Sequence, residues 1–357
     1  MNRSLVLGVR IALLLSLLVG IGTAALIAVR QPLWGNDYVA IWGLKGKALF
    51  LTGSLEGSLR PQASWNHPEY PVAWPALLSM TASLTGGWDD LRVAVLAPLL
   101  LALSATCAAR AVRGSPEARL LAAALVALLP FYRVPIYAGY AEGLLATLLL
   151  AALALWREDR PAGAGRIAFG VILLALAAFT KKEGVLLLLA FLAASLLGRR
   201  WRLAAVPAAA LLLGVVPWRI WLALHVGARP DADHAAGAFA LAKLGTALRV
   251  LVEGEIGPNA LLVAIGAALV ALAPETRRRR GTLLSTLGLY VLALLATFGF
   301  TVLDVAWHAR FTWDRLLFPV VAILVVVLAE AVDECVAQPL ALTSPIGQAT
   351  PVPPMPQ

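Results

Sequence analysis

The chain has 357 residues, 61% of them apolar and 14% charged, with a mean hydropathy of +0.83 and a formal net charge of +9. That much apolar surface cannot be covered by a water-soluble fold, so the composition excludes an ordinary soluble domain and points to a polytopic membrane protein. Two cysteines cannot build a disulfide framework or a thiolate metal site, and the sequence has no Walker loop, G-x-G-x-x-G turn or H-E-x-x-H helix for nucleotide hydrolysis or zinc proteolysis.

Apolar runs close to the roughly 20 residues that cross a bilayer recur along the chain, and backbone groups facing lipid must be satisfied within their own segment, so the expected fold is all-α. About ten transmembrane helices are expected, near 5–29, 93–111, 118–133, 140–156, 166–180, 184–198, 203–223, 258–273, 282–303 and 315–333. The first reads as a retained span, because its apolar part exceeds the roughly 7–15 residues of a signal-peptide core and no small-x-small site precedes Gln31-Pro32. With the N-terminus in the cytoplasm, Arg110/Arg113/Arg119, Arg157/Arg160/Arg166, Arg199/Arg200/Arg202 and Arg277 to Arg280 all fall inside, as the positive-inside rule requires. That alternation holds if 71–86 is a re-entrant or interfacial helix; a crossing there would turn every later arginine cluster outward. The arginine excess then faces anionic lipid headgroups in short inner turns, and no nucleic-acid partner is implied.

Two outer loops are long, 30–92 and 225–257, and 238–252 within the second reads as an amphipathic surface helix. Outer connections hold all five lysines and all four histidines. Residues 1–333 are expected to form one membrane domain, and 334–357, rich in proline from Thr350 onward, a disordered cytoplasmic tail.

In chain order, the first polar constellation is Trp34-Gly35-Asn36-Asp37-Tyr38, followed by Ile41-Trp42 and Lys45-Gly46-Lys47-Ala48-Leu49. Asp37 stands just beyond a span, where a partly desolvated carboxylate is suited to take a proton from a bound hydroxyl. The structural alternative is a helix N-cap for 38–50. Next comes Trp65-Asn66-His67-Pro68-Glu69-Tyr70-Pro71, whose prolines stiffen the chain and present His67 and Glu69 from a fixed turn. Local hydrogen bonding and a divalent metal pair are both open there, but two ligands do not make a metal site, and the sequence demands no cofactor.

Thr180-Lys181-Lys182-Glu183-Gly184 lies between two short apolar segments. Charges at that depth either snorkel, with Lys182 pairing Glu183, or face a cavity and bind a lipid-linked phosphate. The last outer connection, Trp307-His308-Ala309-Arg310-Phe311-Thr312-Trp313-Asp314-Arg315, is either an interfacial aromatic belt with an Asp314–Arg315 ion pair or a phosphate site in which His308, Arg310 and Arg315 take part.

In content and order these blocks resemble the GT-C superfamily of membrane glycosyltransferases, the group of the protein O-mannosyltransferases and the enzymes that add aminoarabinose to lipid A. The resemblance is carried by Asn36-Asp37 after the first span, Ile41-Trp42 with Lys47-Ala48, the 67–71 block, Tyr137-Ala138, the 180–184 block and Thr312 to Arg315 before a leucine-rich span. It implies transfer from a polyprenyl-phosphate sugar donor to a lipid, glycan or protein acceptor hydroxyl on the outer face of a bacterial-type plasma membrane. Asp37 would be the general base, and Lys181 and Arg315 would hold the donor phosphate, with Lys182, His308, Arg310, His67 and Glu69 as further binding residues. The chain departs from the pattern in one respect: many relatives carry an aspartate near the start of the fourth span, where Glu142 is the nearest acid.

Two other readings use the same composition. A transporter or lipid flippase would need buried charge near the midplane, usually on repeated halves, whereas here the polar residues crowd one face. A non-catalytic assembly subunit would keep the fold and lack the base.

Overall fold

A computed structural model describes residues 3–59, 67–156, 163–225, 237–253 and 258–337; the tail expected to be disordered lies almost wholly outside them. The described chain is helical, with no strand among the described residues. In order the helices are α1 (Arg3–Ala28), α2 (Gly43–Thr52), α3 (Leu55–Leu59), α4 (Ala73–Leu84), α5 (Asp90–Val93), α6 (Leu96–Ala111), α7 (Pro116–Leu128), α8 (Pro130–Tyr137) and α9 (Ala141–Leu155). The remainder are α10 (Ala164–Ala178), α11 (Lys182–Leu197), α12 (Trp201–His225), α13 (Leu241–Glu253), α14 (Pro258–Ala271), α15 (Pro274–Arg279), α16 (Gly281–Phe300), α17 (Val305–Leu316) and α18 (Phe318–Ala337).

Each expected span has a helix at its position, and Ser4–Ala28, Asp90–Ala111, Trp201–His225 and Gly281–Phe300 are by themselves long and apolar enough to cross a bilayer. Prolines account for the differences in detail. Pro130 forces Leu129 into an extended conformation, ending α7 at Leu128 and starting the short α8. A bend of 40° divides α17 from α18, so Arg315 stands in the last turn of α17 rather than the first turn of the final span. The stretch 71–86 forms α4, which starts at Ala73 just after Pro71; its 12 residues reach only about 18 Å, well short of a hydrocarbon core. The expected surface helix appears as α13, packed on α16 and α17.

α18 organises the bundle. Every residue from Phe318 to Ala331 is buried, the signature of a helix that is apolar all round and enclosed on all sides. One core cluster joins α18 to α1, α6, α7 and α9, with Trp42 and Trp74 of the segment between α1 and α6 against it; a second joins it to α9, α10, α11 and α16.

One end of the bundle is locked through the acidic end of α18. Glu330 takes Arg280 through both oxygens, at 2.5 and 2.9 Å, and also the backbone N–H of Arg113. Arg280 donates onward to the Ala111 carbonyl at 2.7 Å. Asp333 accepts from the N–H and hydroxyl of Ser115, whose side chain in turn caps α7. Thus the α6–α7 turn and the segment from α15 into α16, both arginine-bearing, meet at the same end.

Candidate functional site

The opposite end of α18 meets the segment that follows α1. There Gly35 donates its N–H to the Ala138 carbonyl at 2.9 Å, and a side chain at Gly35 would run into the Tyr140 ring and Ala138. Gly139 has φ +77°, and an added Cβ would lie 2.8 Å from the Tyr38 ring. These two glycines let the segment bearing Asp37 lie directly on the turn that opens α9. Trp74 of α4 donates to the Gly139 carbonyl at 2.8 Å and ties the same turn from the other side. Gly139→Ala is therefore expected to lower stability by about 1–2 kcal/mol, the usual penalty for a side chain in the left-handed region. Gly245→Ala in the exposed α13, where an added Cβ meets nothing, should be neutral or better; thermal midpoints of the two variants in one detergent check this.

Asp37 precedes the helical turn Tyr38–Trp42, yet its side chain makes no capping hydrogen bond. It is bound instead by Arg315, whose guanidinium donates to Asp37 Oδ2 at 2.6 Å and Oδ1 at 3.3 Å. The same guanidinium donates to Glu142 Oε1 through Nη2 at 2.9 Å and Nε at 3.1 Å, and lies 4.3 Å over the Tyr140 ring. Lys181 donates to that Glu142 oxygen at 2.8 Å and pairs with Glu183 at 2.8 Å. Asp37, Arg315, Glu142, Lys181 and Glu183 therefore form one continuous chain of ion pairs. Its inner members are buried, with the Glu142 side chain 1% exposed, whereas Arg315 and Asp37 are about a quarter exposed (28% and 25%). Glu142 Oε2 is buried with no hydrogen-bond partner among the described residues.

A second group adjoins the first through Lys182, the next residue after Lys181. Lys182 pairs with Glu69 at 2.9 Å and lies 4.6 Å over the Tyr70 ring. His67 stacks on Tyr70 at 4.5 Å, with its Nδ1 3.8 Å from Glu69, an ion-pair spacing. Trp218 of α12 donates to the Glu69 carbonyl at 3.1 Å. Beside this group lies a cavity of about 270 Å³, with Glu69, Lys182 and Arg219 among aliphatic side chains of α10, α11 and α12.

Of the residues singled out in the sequence, Asp37, Arg315 and Lys181 meet in one group and Glu69, Lys182 and His67 in the adjoining one. His308 bonds to Thr301 at 3.0 Å and lies edge-on to Phe298, while Arg310 is exposed on the surface of α17. The local pairings do not form as read from adjacency: Lys182 takes Glu69 rather than Glu183, and Arg315 binds Asp37 and Glu142. Sequence reasoning named Glu142 only as the acid nearest a family aspartate, and its place at the hub of the ion pairs was not foreseen. Its signal was an acid in the first turn of an otherwise apolar helix, a placement that in a membrane protein calls for a partner.

No family model matches the chain, and no curated protein matches it. Among solved structures, it is similar to ArnT from Cupriavidus metallidurans, crystallised in the apo state, with a TM-score of 0.62 at 16% sequence identity over 92% of this chain. The chain spans 60% of the length of that protein. The two share a fold.

Proposed function

We propose that this protein is a glycosyltransferase that moves a sugar from a polyprenyl-phosphate donor to an acceptor hydroxyl, with Asp37 as general base and residues 1–333 as one catalytic membrane domain. The observation that carries this reading is Asp37 and Glu142 sharing one guanidinium, Arg315, at the end of the bundle opposite the arginine-bearing turns. By the positive-inside rule that end faces the periplasm or exterior, where a lipid-linked donor is presented and a nucleotide sugar is not. The ionic groups gather at the two ends of α18 rather than along its apolar middle, which argues against a transporter.

In the reaction the acceptor oxygen attacks the anomeric carbon and the bond from that carbon to the phosphate oxygen breaks. The electron pair leaves with polyprenyl phosphate, and the hydroxyl proton passes to Asp37, an in-line displacement that inverts the anomeric centre. Base and cation must be positioned before the charge develops. Arg315 supplies both requirements in sequence. In the free protein it occupies Asp37, and an arriving phosphate competes for its donors, which frees the carboxylate to accept the proton. Glu142 and Lys181 hold the guanidinium where that exchange is short-ranged. Lys182, with the cavity beside it, suits the start of a polyprenyl chain, since Lys182 and Arg219 supply positive charge beside Glu69 and most of the remaining lining is apolar.

Arg315→Ala removes charge-assisted bonds worth about 1.5–3 kcal/mol each. The apparent donor affinity should fall at least tenfold, read from transfer kinetics at varied donor; an unchanged donor KM would remove Arg315 from the site.

A further inference from the structure

One buried cation of the segment between α1 and α6 has no part in this chemistry. Lys45, on α2, is fully buried, and its amine donates to the His67 carbonyl. The same carbonyl accepts the Tyr70 N–H at 3.0 Å and so closes the turn 67–70. His67 holds φ +47°, a conformation that a residue with a side chain keeps only where its surroundings impose it. The Tyr70 ring lies between Trp42 at 5.4 Å and His67 at 4.5 Å, and both lysine amines approach it, Lys182 at 4.6 Å and Lys45 at 5.9 Å.

We propose that Lys45 is a positioning residue: its buried amine holds the His67–Tyr70 turn by the carbonyl and thereby fixes Glu69 and Lys182 where they meet the donor. The proposal rests on the transferase reading for its consequence, but the anchoring itself does not.

The groups that face or flank this amine are few. From the turn come Glu69, His67 and Tyr70, and from α11 Lys182. Tyr38 precedes α2 and is bonded to Asp90, Glu56 of α3 is exposed, and α4 has no titratable residue. Burial lowers the Lys45 pKa to about 7; Glu69 opposes this and Lys182 adds to it. The sign of the consequence follows. Opening the turn hydrates the amine and returns it toward its ordinary value of about 10.4. Between pH 7 and 10 the open turn therefore binds a proton that the closed turn does not, and closure strengthens as pH rises.

The test is amide hydrogen exchange of the 67–72 segment of the full chain in nanodiscs, corrected for the intrinsic pH dependence of exchange, between pH 6.5 and 9. In the wild type the protection should grow above pH 7, by at most about tenfold per pH unit for a single proton. In Lys45→Met, an apolar side chain of similar length, that growth should vanish while the donor KM rises up to about tenfold, the loss of roughly one hydrogen bond. A flat wild-type profile overturns the anchoring without any mutant. A normal profile with an unchanged donor KM in Lys45→Met overturns the positioning role. A wild type that transfers no sugar sinks the transferase reading instead, and the exchange profile still decides whether Lys45 anchors the turn.

Discussion

Asp37→Asn should reduce sugar transfer by about 10²–10⁴-fold, the range for a positioned general base, while expression and detergent stability stay near those of the wild type. The substitution is informative because it preserves shape and hydrogen-bonding capacity and deletes the ability to accept a proton. Asn also ranks with Asp as a helix cap, so a capping role would leave it almost silent. The geometry sharpens the comparison, since the carboxylate makes no capping bond and is held by Arg315. Asn still accepts one bond from the guanidinium through its amide oxygen, so the site stays assembled. The assay is transfer of radiolabelled sugar from the polyprenyl-phosphate pool of a membrane extract, wild type and variant in parallel. Near-normal transfer would dismiss Asp37 as the base and direct attention to Glu142 and Glu69.

The second large effect belongs to the scaffold. Glu330→Gln should destabilise the bundle by about 3–5 kcal/mol, because it leaves the Arg280 guanidinium in the interior without its counter-charge. Both side chains are almost completely buried, at 2% and 0% exposure, and the same carboxylate also holds the Arg113 backbone. The variant should unfold at a markedly lower temperature, while any protein that stays folded keeps the wild-type donor KM, since Glu330 lies about 18 Å along α18 from Phe318. A thermal midpoint within a degree or two of the wild type would mean that Arg280 finds water or another acid.

These two carboxylates mark what the sequence made legible and what it did not. Helix positions, the arginine turns and the first-loop block containing Asp37 were readable, because hydropathy and charge act over neighbouring residues and bilayer thickness sets the helix length. Partners were not. Arg315 finds Glu142 across 173 residues and Asp37 across 278, and Lys182 finds Glu69 across 113. Reading Lys182 with Glu183 failed because successive residues of a helix point about 100° apart, whereas Lys181, in extended conformation just before α11, can turn its amine onto Glu183. Lys45 was part of the first-loop block, but its burial was not legible, because a lysine in a Gly-Leu-Lys-Gly-Lys stretch looks solvated, and only the packing of α4 and the 67–70 turn over α2 removes it from water.

The central claim is that the donor is lipid-linked, and one measurement addresses it directly. The purified protein in nanodiscs is supplied in turn with polyprenyl-phosphate sugars and with nucleotide sugars, together with a membrane-lipid extract as acceptor source, and release of free polyprenyl phosphate is followed alongside labelled product. The account predicts release and product formation from at least one polyprenyl-phosphate sugar, none from any nucleotide sugar, and loss of both signals in Asp37→Asn. Turnover of a nucleotide sugar, or a folded protein that releases no polyprenyl phosphate from any lipid donor, would contradict it.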